Sequence, residues 1–203
     1  MARVTPLKRE EVPELEDAFA RAEQRMGFVP NSMLTMARRP EIMRALGGLT
    51  QAARTGTVDP QLKEMVALVA STASGCRYCQ AHTASNASRV GAQADKIADV
   101  WNYEADERFT GAERAALRLA HHAGLVPNEA TDEDFALLRQ HFDDGEIVEL
   151  VAMIALFGFL NRWNDTMATE LEDHPLALAS GVLGPGGWEA GKHAAGTSVA
   201  TSQ

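Results

Sequence analysis

Glu64-Met-Val-Ala-Leu-Val-Ala-Ser-Thr-Ala-Ser-Gly-Cys76-Arg-Tyr-Cys79-Gln-Ala-His82 is the stretch on which the reading of this chain turns. It holds both cysteines of the 203-residue sequence. Upstream, Asp59-Pro60 suits a helix start, because aspartate caps free amides and proline needs no donor in the first turn. Leu62, Met65, Val66, Val69 and Ala70 then recur three and four residues apart, one buried helical stripe. Gly75 breaks this helix. A second begins near Cys76 and runs to about Val90, with Gly91 as its stop. Two helices joined at a glycine, with a thiol pair at the start of the second, make a redox-type arrangement.

Outward from this hairpin, every periodic segment has helical spacing. Glu14 to Met26 carries Leu15, Phe19, Ala20 and Met26 on one side; a short segment around Met33, Leu34 and Met36 follows; Pro40 opens a helix to about Arg54. Downstream, Ala92 to Asn102 is helical, Thr110 and Glu113 have capping-box spacing, and Thr131 to Phe142 forms a further short helix. The longest apolar helix spans about Glu146 to Leu171. It is hydrophobic nearly all round from Val148 to Leu160, so it belongs at the centre of the molecule or at a subunit contact. No alternating strand pattern competes, which predicts an all-α fold without a sheet. The expected division is one helical domain over residues 1–178 and a Gly/Ala-rich tail over 179–203, where Ser180 to Gln203 has six glycines and no helical stripe.

Composition narrows the function. With 45% hydrophobic residues the chain can bury a core without disulfide staples. A net charge of −9 and a pI near 5.1 repel phosphate backbones and anionic lipid, so neither nucleic acid nor a membrane is an expected partner. The run Ile147 to Leu160 carries Glu149 and falls short of the ~20 residues that a membrane span requires. The N-terminal residues lack the pattern of a signal peptide, and the expected location is the cytoplasm. In a reducing compartment a lone Cys-x-x-Cys is catalytic, redox-sensing or metal-binding more often than a structural crosslink.

A helix N-terminus stabilises a thiolate, which favours Cys76 as the reactive thiol. Cys79 lies on nearly the same face, near enough for one sulfur to attack a sulfenic acid on the other. His82, three residues further on, sits beside Cys79 and can accept its proton. Glu64 faces a residue near Ala87 in a simple hairpin, ~7 Å along the helix from His82, within reach of a long carboxylate directly or through water. No metal or cofactor is expected. Cys76, Cys79 and His82 supply three zinc donors on a helix that turns ~600° across them, and Gln80 stands where a haem-attachment motif requires histidine. His121 and His122 diverge by ~100° and read as ordinary helix positions. Tyr78 is expected to pack over the thiols.

Glu64, the eleven residues after it, Cys76-x-x-Cys79 and His82 together resemble the redox signature of the alkylhydroperoxidase D-like, or carboxymuconolactone decarboxylase, family. The resemblance covers about Asp59 to Ser88, and Glu146 to Asp165 is similar to the family's later apolar helix. Thr83 stands where the best-known members place a relay histidine, and Tyr78 stands at a second histidine position between the cysteines. The resemblance implies an AhpD-like helical fold and homo-oligomers, a trimer or a multiple of it. It also implies thiol-dependent reduction of small peroxides by a cysteine pair, re-reduced by a dithiol or thioredoxin-like partner. In that scheme Cys79 attacks, Cys76 resolves, His82 is the base and Glu64 orients it. Two other readings stand beside it: a non-enzymatic redox-responsive binding protein, and a decarboxylase of the carboxymuconolactone type.

Overall fold

The computed structural model describes residues 2–196, all of its regular elements helical and none a strand. In chain order these are α1 (Glu16–Met26), α2 (Asn31–Met36), α3 (Pro40–Arg54), α4 (Pro60–Ala73), α5 (Arg77–Arg89), α6 (Ala94–Ala98), α7 (Gly111–Gly124), α8 (Asp132–Leu138), α9 (Asp144–Met167) and α10 (Asp173–Val182). The starts follow local chemistry. Asp59 accepts from the Gln61 amide at 3.1 Å, and Thr110, Thr131 and Asp143 each close a capping box on the acidic residue three positions on.

The central helix is α4. Every residue from Leu62 to Ser71 is buried, because α5, α7 and α9 pack around it. Even Lys63 is enclosed, its ammonium donating to the Thr55 carbonyl at 2.8 Å and lying 2.7 Å from Glu149 of α9. Close approach of α7 requires Gly124, where a Cβ would stand 2.9 Å from the Ala70 carbonyl oxygen. Ser74 Oγ donates to the Gly124 carbonyl at 2.8 Å and completes that contact.

The long apolar α9 has two surfaces. Leu150, Met153, Ile154 and Phe157 face the core, whereas Val148, Val151 and Phe159 are exposed, as are Ile42 and Leu49 of α3, a helix packed on α9.

The C-terminal segment packs back onto the bundle. A boundary at residue 178 falls inside α10, whose Pro175 and Ala179 are buried against α5. Trp188 and His193 are buried as well, and the Leu171 amide donates to the His193 carbonyl at 2.8 Å. Isolated burial of single large residues, rather than a repeating stripe, anchors this stretch, which is why periodicity does not reveal it. The remainder of the expected tail, residues 197–203, lies outside the described residues.

Candidate functional site

Gly75 turns the chain between α4 and α5 with φ +74°, a left-handed conformation that costs glycine little. Cys76 follows as the N-cap residue of α5, its amide donating to the Ser71 carbonyl at 3.1 Å. Cys79 sits one turn into the helix. The cysteines approach to 3.4 Å, and both are free thiols buried from solvent.

Their environments differ. The Cys76 thiol is held below its ordinary value, mainly because the Cys79 thiol donates to its sulfur. Burial opposes this, and the amides of Cys79 and Tyr78 reinforce it. The Cys79 thiol is pushed well above its usual value, first by burial and then by its partnership with Cys76. Asn164 Nδ2, from α9, reaches Cys79 Sγ at 3.5 Å and offsets only part of that. Of the two thiols, Cys76 is therefore the one favoured as thiolate, chiefly through the donation from Cys79 and only secondarily through the amides at the helix start. This departs from the attack by Cys79 that the family scheme implies.

His82 is engaged elsewhere. Its Nε2 lies 2.7 Å from Glu172 Oε2, and its ring stacks on Tyr78 with centroids 4.3 Å apart. Glu172 also accepts from the Asn31 amide at 2.5 Å and from the Tyr78 hydroxyl at 2.9 Å. Burial raises the Glu172 carboxyl, but the charge of His82 and these donors outweigh it and leave the group below its ordinary value. Burial and the same carboxylate push the Tyr78 phenol well up, so it stays protonated and donates. Tyr78 thus packs on the imidazole and ties α5 to α2 and α10.

Glu64 occupies a different cluster. Its Oε1 is paired with the Arg54 guanidinium of α3, and its Oε2 is buried without a hydrogen-bond partner. The carboxylate on His82 is that of Glu172, not Glu64. Burial, followed by the nearby charge of Arg25, lowers Arg54 to about 9. Thr83, at the family's relay position, spends its hydroxyl on the Cys79 carbonyl at 2.7 Å. His121 and His122 serve α7, with His122 Nδ1 2.9 Å from Asp134.

The residues not anticipated come from two segments remote in sequence. Asn164 and Asp165 end α9, and Glu172 and His193 belong to the C-terminal stretch. Cys76, Asp165 and His193 bring sulfur, oxygen and nitrogen atoms within 4.8 Å of one another. Lys192 Nζ lies 2.8 Å from Asp165 Oδ1, so this carboxylate already has a cationic partner.

The sequence profile of the carboxymuconolactone decarboxylase family matches residues 40–122. The debrominase Bmp8 superposes with a TM-score of 0.84 at 34% identity over 88% of this chain and 96% of its own. The chain belongs to the carboxymuconolactone decarboxylase family. An alkylhydroperoxidase AhpD core protein of Ralstonia eutropha, described as peroxidase-related, superposes with a TM-score of 0.77 at 25% identity, covering 86% of this chain and 94% of that one. The uncharacterized protein YdfG of Bacillus subtilis is 25% identical over 126 residues, 62% of this chain and 84% of that protein. The AhpD-like helical fold expected from the Cys-x-x-Cys hairpin is the fold observed, and the family includes more than one activity. Among the described residues no helix is long and apolar enough to cross a membrane.

Proposed function

We propose that this family member is a thiol-dependent oxidoreductase in which Cys76 and Cys79 cycle between dithiol and disulfide while reducing a small peroxide. The observation that carries the reading is the pair itself: two buried thiols 3.4 Å apart, one favoured as thiolate and the other kept protonated. The Cys76 thiolate attacks one peroxide oxygen, the O–O bond breaks, and Cys76 becomes a sulfenic acid as an alcohol leaves with a proton. Cys79 then attacks that sulfur and water departs, leaving the disulfide. A dithiol or thioredoxin-like reductant takes the disulfide back to two thiols. His82, held by Glu172, orients Tyr78 and the first turns of α5 beside the pair.

A second substrate class has its own support in the 34% identity to a debrominase, solved as a cysteine-to-alanine variant with 2,3,4-tribromopyrrole. The same dithiol balances that chemistry. A thiolate takes the bromine as Br⁺, the ring carbon takes a proton, and the second thiol displaces bromide to form the disulfide.

Reduced protein treated with one equivalent of an alkyl hydroperoxide or of a bromopyrrole is expected to form the Cys76–Cys79 disulfide, read by mass spectrometry. It should then turn over with dithiothreitol. Disulfide formation without turnover would favour a redox-responsive binding protein. Thiols left unmodified by both reagents would defeat the oxidoreductase reading.

A further inference from the structure

His193 comes from the C-terminal stretch that has no helical pattern, yet its ring is fully buried. Its Nδ1 lies 2.7 Å from the Thr169 carbonyl oxygen. A carbonyl only accepts, so Nδ1 carries the hydrogen, and in the neutral ring Nε2 presents a lone pair. That Nε2 is buried without a hydrogen-bond partner. His193, Asp165 and Cys76 each bring one donor atom within 4.8 Å of the other two, and Asp165 Oδ1 lies 3.7 Å from Nε2. A buried, unpartnered lone pair in a cluster with a thiol is a base awaiting a proton.

We propose that His193 Nε2 is the proton acceptor of Cys76, so that the C-terminal segment completes the reactive site. The inference rests on the reading of Cys76 as the reactive thiol. The Cys76 S–H bond breaks, its electron pair stays on sulfur, and the proton moves to Nε2. A small rotation of the Cys76 side chain or one bridging water closes the gap. The new N–H then faces the Asp165 carboxylate. When substrate is reduced, the imidazolium returns this proton to the leaving alkoxide or, in dehalogenation, to the ring carbon.

The surrounding charges suit this. Cys76 and the phenol of Tyr78 face the ring from α5, Asp165 from α9 and Lys192 from its own turn, with Glu172 behind Tyr78. Burial lowers His193 below the ordinary histidine value, which keeps Nε2 free of a proton at neutral pH. Neutral imidazole is the form that a base requires.

The test needs no turnover. In full-length reduced protein, alkylation of Cys76 by iodoacetamide, resolved by peptide mass spectrometry, is followed against pH. His193→Gln keeps an amide donor for Thr169 but has no basic nitrogen. It should slow Cys76 alkylation roughly tenfold or more at pH 7, a modest share of the usual effect of a positioned base. The difference should close above about pH 9, where an ordinary thiol ionises unaided. A residue that only packs would change the rate alike at every pH. An unchanged pH profile in His193→Gln overturns the inference. Nitrogen-15 histidine NMR of the natural chain gives a second reading that needs no variant. His193 is expected as the Nδ1–H tautomer, and alkylation of Cys76 should shift its titration. An Nε2–H tautomer, or a titration indifferent to alkylation, overturns it as well. If Cys76 alkylation depends on His193 while neither peroxide nor bromopyrrole oxidises the thiols, the base stands and the oxidoreductase reading falls.

Discussion

His82 Nε2 and Glu172 Oε2 meet at 2.7 Å, joining the helix of the cysteines to the first residue before α10. Glu172 takes three donors, from α2 and two points of α5, and an amide there keeps one acceptor oxygen while setting an NH2 against the rest and removing the charge. Glu172→Gln should cost roughly 1–3 kcal/mol of stability by urea unfolding. In a double-mutant cycle with His82→Asn the two losses should not add. The carboxyl lies below its ordinary value of 4.5 when folded. Its stabilisation is therefore present above that value and fades as the pH falls through the folded one. The variant should lack that part of the acid limb, and an unchanged acid limb would speak against the pair.

The thiol roles predict unequal single variants. Cys76→Ser should lose the fast reaction with one equivalent of peroxide. Cys79→Ser should react once and stop at a sulfenic acid on Cys76, trapped with dimedone and located by mass spectrometry. The reverse pattern would restore Cys79 as the attacking thiol.

Lys63 and Glu149 make a stability prediction away from the site. Glu149 accepts from the Thr57 and Val58 amides at 3.0 and 3.1 Å as well as facing Lys63, which lowers its carboxyl to about 2. Glu149→Gln should destabilise by roughly 1–3 kcal/mol, since the buried ammonium loses its counter-charge and the Thr57 and Val58 amides lose one of their two acceptor oxygens. The difference from the natural chain should be fully present above about pH 4.5 and shrink as the pH falls toward 2, because the natural carboxylate is then neutralised too. Equal stability of the two proteins at pH 7 would contradict this.

Gly124→Ala probes the contact of α7 with α4. The added methyl would meet the Ala70 carbonyl oxygen at 2.9 Å and Ala73 Cβ at 3.0 Å. Overpacking of this kind costs about 1–3 kcal/mol, read as a lower thermal midpoint. A neutral result would mean that the helices separate more easily than the packing indicates.

The exposed apolar side chains of α3 and α9 predict self-association. Val148 is 66% exposed, Leu49 49% and Phe159 42%, an apolar surface that a lone domain has little means to cover. Light scattering at micromolar concentration should give a homo-oligomer, with a trimer or its multiple expected. Val148→Asp together with Phe159→Asp should lower the mass. A strictly monomeric natural chain would count against the assembly.

The helix-by-helix architecture is legible in the sequence because its signals are local. Asp59-Pro60, Thr110 with Glu113 and the stripe from Leu62 to Ala70 each state a boundary or a buried face within a few residues. The reactive hairpin is legible for the same reason, since Gly75, Cys76 and Cys79 lie within two helical turns. What these residues face is decided elsewhere. Glu172 reaches His82 across 90 positions, and Asn164 reaches Cys79 across 85. The hairpin alone admitted Glu64 as the partner of His82, but the end of α3 brings Arg54 to its carboxylate, and docking of α10 on α5 brought Glu172 to His82 instead. The C-terminal stretch shows the limit most clearly. A single buried histidine produces no periodicity, so only the folded chain, by closing the Thr169 carbonyl onto its Nδ1, could determine which nitrogen of His193 remains free beside Cys76.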